Sequence, residues 1–184
     1  GQTLAKSKEY AGRSYFVEHA NMDALTGFAA LGEIILDGLE LAGKDLNKTA
    51  IIIPVGAGGL ASGIAMAAKK RNANIKIILV QTQRTKHAFD SLFAGWLLRY
   101  RDNDKKLFEE SGIDTKMLEP LALKVLRRLA DGLVLVNHEN IKPAIGYFAA
   151  HDVTAEGAAV LPYLALQEMA EKLKETGVKH TVLI

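Results

Sequence analysis

The chain has 184 residues, 49% hydrophobic and 24% charged, with 23 Lys and Arg against 21 Asp and Glu for a net charge of +2. That apolar content excludes global disorder, and the balanced charge excludes a dedicated nucleic-acid binder, which carries a strongly basic face. The absence of cysteine excludes disulfides, thiolate metal sites and a cysteine nucleophile.

The length suits one packed unit that buries about 70% of its surface. No run reaches the roughly 18 apolar residues of a membrane span, and the first residues lack the pattern of a secretory signal. The expectation is a soluble, cytoplasmic protein with no membrane partner.

Short β-rich runs alternate with longer helical stretches. Residues 4–11 read as a short helix stopped by Gly12, and residues 14–18 as a short strand. Residues 23–42 carry apolar side chains at helical spacing (Leu25, Phe28, Leu31, Ile35, Leu39) and stop at Gly43. The run 50–55 is continuously apolar, as a strand buried on both faces requires. Residues 60–70 read as a helix and 75–80 as the next strand, which together make a βαβ unit with parallel strands.

From 85 to 129 the pattern predicts mostly helix, broken near Asp102-Asn103, Gly112 and Pro120. Residues 133–136 read as a strand, 139–150 as a helix with Pro143 in its first turn, and 155–175 as a long helix kinked at Pro162. Residues 181–184 form the last strand. The basic clusters Lys69-Lys70-Arg71 and Arg127-Arg128 sit at polar helix ends, where cations are favourable. The five histidines, His19, His87, His138, His151 and His180, show no metal-ligand spacing, and no Gly-x-Ser-x-Gly elbow is present.

The chemistry concentrates in Pro54-Val55-Gly56-Ala57-Gly58-Gly59-Leu60-Ala61-Ser62-Gly63, between a buried strand and a helix. Glycines allow positive φ and close approach of a ligand to the backbone. The N–H groups of such a loop and of the following helix N-terminus favour an anion. A Walker loop is excluded because no Lys follows the glycines. Gly56, Gly58 and Ala61 match a dinucleotide fingerprint, but Gln81 stands where that fold places its ribose-binding acid. A compact cup for a single phosphate is the third possibility.

This stretch resembles the phosphate loop of the fold-type II pyridoxal phosphate enzymes, the tryptophan synthase β-subunit superfamily, with threonine and serine dehydratases and serine racemase as the nearest-looking members. The segments 25–34, 75–80, 130–136 with Ile141, and 153–160 resemble that family in the same order; residues 85–129 match it poorly. The resemblance implies that the amides of Gly56, Ala57, Gly58, Gly59 and Leu60 bind the cofactor phosphate, with Ala57 where the family usually has Gly. It places Glu156 near the cofactor, although a first-turn acid complementing a helix dipole explains Glu156 equally well.

The family's Ser-x-Lys pattern, whose Lys forms the Schiff base, has no counterpart; Ser7-Lys8 is the nearest imitation and lacks the spacing. The Ser-x-Gly-Asn substrate loop is absent too, and the residue meeting the pyridine nitrogen would follow Ile184. Gln81 and His87 stand where some relatives hold a divalent ion, so no metal is expected.

The resulting expectation is an α/β fold of three layers with a mostly parallel sheet, resembling the large domain of fold-type II enzymes and truncated at both ends. Residues 1–184 would form a single, partial cofactor-binding domain, without the small domain and the Schiff-base segment. The parent protein would be a pyridoxal-phosphate-dependent lyase that acts by β-elimination on a small amino acid. This chain would supply the phosphate loop, contribute no catalytic residue, be inactive alone and self-associate as a homo-oligomer. The alternatives are a non-catalytic binder of a phosphorylated ligand and a Rossmann-type nucleotide-binding domain.

Overall fold

Ile51, Ile52 and Ile53 are all inaccessible to solvent. Three consecutive side chains can be buried together only in a strand covered on both faces. The computed structural model describes residues 21–100 and 112–184; the helix expected at 4–11 and the strand at 14–18 lie outside them. Helix α1 (Met22–Leu41) is capped by Asn21, whose side chain accepts from the Ala24 amide at 2.8 Å. Strand β1 (Thr49–Pro54) leads to α2 (Gly59–Arg71) and β2 (Lys76–Thr82). Then come α3 (His87–Ala94), α4 (Pro120–Leu129) and β3 (Gly132–Val136). Helices α5 (Ile141–Ala149) and α6 (Gly157–Glu175) precede β4 (His180–Leu183).

The four strands are parallel in the order β3-β2-β1-β4. Their side chains alternate between two cores. Ile51, Ile53, Ile77 and Leu79 pack with Leu36 of α1, Ile64 of α2 and Leu126 of α4. Ala50, Ile52, Ile78 and Val80 pack with Ile141 of α5 and Val160, Leu161 and Leu164 of α6. The sheet is thus the middle of three layers. Right-handed crossovers explain the division: β1 to β3 progress one way across the sheet with helices on one face. The return from β3 to β4 runs the other way, on the opposite face.

The stretch 85–129, expected as helix broken near Gly112 and Pro120, is only partly helical where it is described. It holds two helices, α3 and α4, among its described residues. Gly95, at φ +85°, ends α3 in a left-handed turn. Residues 112–119 run without regular structure until Pro120, whose fixed φ suits the first turn of α4. The expected helix 139–150 begins with a tight turn at His138–Asn140 before α5. Helix α6 continues through Pro162.

Candidate functional site

The strand order reverses at β1: β2 lies on one side and β4 on the other. In open α/β sheets, ligands bind in the crevice at the carboxyl ends of the strands at such a reversal. A cleft of about 440 Å³ opens there. Its walls include Pro54 at the end of β1, the glycine loop, Ile184 beyond β4, Glu156 and Ala158 at the start of α6, and Ile113 and Thr115. The N-termini of α2 and α6 both reach this cleft, so two positive helix ends converge on it.

The glycine loop is shaped by what holds its carbonyls. The Val55 carbonyl accepts from Gln81 Nε2 at 2.9 Å. The Gly56 carbonyl lies 3.1 Å from His87 Nε2. The Ala57 carbonyl accepts from the Glu119 amide at 3.0 Å, and the Gly58 carbonyl from the Ser62 amide at 2.9 Å. In a trans peptide the next residue's N–H points opposite to the carbonyl. Four anchored carbonyls therefore turn the amides of Gly56, Ala57, Gly58 and Gly59 away from the packed side. The amides of residues 56–61 meet no backbone acceptor among the described residues.

Two glycines are dictated by space. Gly58 sits at φ +95°, and a Cβ there would lie 2.7 Å from Ala122 Cβ and 2.9 Å from Leu118 Cδ2. A Cβ on Gly63 would come within 2.7 Å of the Leu25 carbonyl and 2.8 Å of the Ala29 amide, so this glycine is needed where α1 crosses α2. Ser62 is fully buried, and its hydroxyl has no hydrogen-bond partner among the described residues.

Glu156 is the exposed N-cap of α6, makes no side-chain cap bond and lies against Gly112 at the cleft wall. The cleft thus brings together Gly56, Ala57, Gly58, Gly59, Leu60 and Glu156. Lys8 lies outside the described residues. Gln81 is fully buried, with its amide nitrogen on the Val55 carbonyl and its oxygen accepting from the Phe89 amide at 3.0 Å. Both ends of its side chain are engaged inside the protein, which leaves nothing to grip a ribose and weakens the dinucleotide reading. Among the described residues no group of His, Cys, Asp and Glu is arranged to hold a metal ion.

Burial holds His87 below the usual imidazole range, against the opposing pull of the Gly56 and Thr85 carbonyls. Its Nε2 also lies 3.0 Å from Thr115 Oγ1. Sequence reasoning missed this anchor together with Ile113 and Thr115. No periodicity marks residues 112–119, because contacts distant in sequence fix them. Nearby, the Tyr100 hydroxyl donates to the Asp90 carboxylate. Burial, reinforced by that carboxylate, pushes the phenol up to about 12.

The family model described as pyridoxal-phosphate dependent enzyme matches residues 2–184. A catabolic L-threonine dehydratase, TdcB, of Staphylococcus aureus strain N315 is 33% identical over 130 residues, 70% of this chain and 37% of that protein. The L-threonine ammonia-lyase of Thermotoga maritima is 32% identical over 148 residues, 80% of this chain and 35% of that one. The crystal structure of the T.th. threonine deaminase superposes with a TM-score of 0.77 at 25% identity, over 87% of this chain and 55% of that chain. The processed threonine deaminase isoform 2 of Solanum lycopersicum gives a TM-score of 0.80 at 24% identity over 98% and 50%, a likeness of fold. The chain therefore spans well under two thirds of the curated relatives it matches. The glycine loop at the sheet's switch point, the parallel topology and these matches agree: the chain belongs to the pyridoxal-phosphate-dependent enzyme family, is threonine dehydratase-like within it, and has pyridoxal phosphate as its implied cofactor.

Proposed function

We propose that this chain is the phosphate-holding portion of a pyridoxal-phosphate-dependent lyase that eliminates the β-substituent of a small hydroxy amino acid. One observation carries the reading: the carbonyls of residues 55–58 are all tied back, which turns successive amides toward one cleft. Such an array suits a phosphate dianion. The residues fit the group: Gly56, Ala57, Gly58, Gly59 and Leu60 would hold the phosphate through backbone N–H groups, with the α2 dipole behind them. Glu156 would stand at the cleft rim beside the ring.

When bound, the cofactor supplies an electron sink for negative charge developing at the amino acid's α-carbon. The names of the threonine dehydratase relatives support the substrate class. We further propose that residues 1–184 form one partial cofactor-binding domain and that the lysine joined to the cofactor comes from outside it. In keeping with that, no lysine lines the cleft among the described residues.

The test is a titration of the full chain with pyridoxal phosphate in competition with inorganic phosphate, followed by borohydride reduction and intact-mass measurement. We expect the two to compete for one site, with no adduct on the 19.9 kDa chain. A stoichiometric single-site adduct would show that the chain carries its own lysine and would overturn the partial-site reading. Lack of competition would overturn the phosphate cup.

A further inference from the structure

We infer that His87 is a positioning residue for the phosphate loop: by donating from Nε2 to the Gly56 carbonyl, it locks the Gly56–Ala57 peptide with the Ala57 amide facing the anion. The inference rests on the phosphate-cup reading above and adds a residue that the loop motif does not contain.

The peptide that His87 holds is able to turn over. Gly56 precedes it, and a residue without Cβ crosses the backbone map at little cost. A flipped peptide would aim a carbonyl oxygen at the anion and remove one donor. The next two carbonyls are held by backbone amides that the fold supplies in any case: the Glu119 amide at the start of α4 takes Ala57, and the Ser62 amide in the first turn of α2 takes Gly58. The Gly56 carbonyl, like that of Val55 on Gln81, depends on a side chain.

His87 is well suited to this task. It is fully buried as the first residue of α3, so its ring has little freedom. The Gly56 carbonyl can only accept, and the buried Nδ1 has no partner at hydrogen-bond geometry among the described residues, so a neutral ring with its hydrogen on Nε2 leaves no N–H unsatisfied. The second oxygen near Nε2, Thr115 Oγ1 at 3.0 Å, belongs to the irregular segment 112–119, which also lines the cleft. One imidazole thus ties the loop, α3 and residues 112–119 together. The bulk of the ring alone could not select the peptide orientation; the donated hydrogen can.

The experiment is a titration of the ¹⁵N-labelled full chain with inorganic phosphate, following the backbone amides by NMR. In the unaltered chain the amides of Ala57, Gly58, Gly59 and Leu60 should shift together. In His87→Phe, which keeps a ring but has no donor, affinity should fall about tenfold or more, the scale of one hydrogen bond to a charged group. The Ala57 response should vanish while Gly59 and Leu60 still respond. His87→Gln, whose carboxamide N–H can reach the same carbonyl, should restore affinity to within about threefold of the unaltered chain.

A His87→Phe chain that binds phosphate as tightly as the unaltered one, with Ala57 still shifting, would overturn the assignment and leave the cup standing. Absence of any amide response in the unaltered chain would overturn the cup itself. Should His87→Phe fail to fold, the imidazole nitrogens of the unaltered protein decide. A hydrogen on Nε2 coupled to the Gly56 carbonyl supports the inference, and a neutral ring protonated on Nδ1 overturns it.

Discussion

Gly58 and Gly56 are two residues apart in one loop, yet they are glycine for different reasons. Gly58 occupies the left-handed region at φ +95°, and an added Cβ would meet Ala122 and Leu118 below 3.0 Å. Gly56 has no such backbone constraint, and its Cβ would meet Ile113, Gly112 and Thr115 at 3.2–3.3 Å. A left-handed conformation costs an alanine about 1–2 kcal/mol, and overpacking adds about 1–3 kcal/mol. Gly58→Ala should therefore destabilise the chain by about 2–5 kcal/mol and weaken phosphate binding, whereas Gly56→Ala should cost about 1 kcal/mol. Urea unfolding of the two variants checks the order. Equal losses would mean that backbone conformation at Gly58 does not shape the loop. Ala57, standing where the family usually has glycine, fits this division, since its φ is not left-handed.

Between elements, the same economy governs the crossing of α1 on α2. A Cβ on Gly63 would fall 2.4 Å from Phe28 Cβ and within 3 Å of α1 backbone atoms, which have no rotamer by which to yield. Gly63→Ala should push the helices apart and destabilise the fold by about 1–3 kcal/mol, measured by thermal or urea unfolding. Gly38→Ala, with nothing within 4 Å of its Cβ, should instead stabilise by up to about 1 kcal/mol through helix propensity. Equal effects at the two positions would refute a close crossing.

The βαβ elements are legible in the sequence because their signal is local: apolar runs for β1 and β2, helical spacing for α1, glycines between strand and helix. The site's floor is not. In the sequence Gln81 stands out as a missing ribose acid and His87 as a missing metal ligand. Their carbonyl partners lie 26 and 31 residues away in sequence, a separation that periodicity does not encode. Residues 112–119 fall within the expected broken helical stretch. They are irregular because the Tyr100 amide binds the Lys116 carbonyl, Thr115 meets His87, and Leu118 enters the core.

At the scale of the whole molecule, His87 couples proton binding to folding. Burial lowers its proton affinity from the ordinary value of 6.5, so in the folded state the ring stays neutral further into acid than it does in the unfolded chain. Between the two values the unfolded chain binds more protons, and stability rises with pH. The stabilisation from this group is complete above about pH 7.5. It is lost as pH falls from about 6.5 to the folded-state value and is level below that, with a slope of at most about 1.4 kcal/mol per pH unit.

The charges facing the ring are Asp114, which favours the proton, and Lys116, which opposes it. They pair at 3.0 Å, so each offsets the other and desolvation sets the sign. The comparison that isolates this group is urea unfolding of the unaltered chain and of His87→Gln from about pH 8 to about pH 5, a range that brackets the ordinary imidazole value. The remaining histidines contribute to both proteins, so their share cancels in the difference. The unaltered chain should lose more stability on acidification, and the gap should open below about pH 7 and close to a constant at lower pH. Parallel curves would mean that folded His87 takes up its proton as readily as unfolded His87. In that case folding would not favour the neutral ring over the charged one.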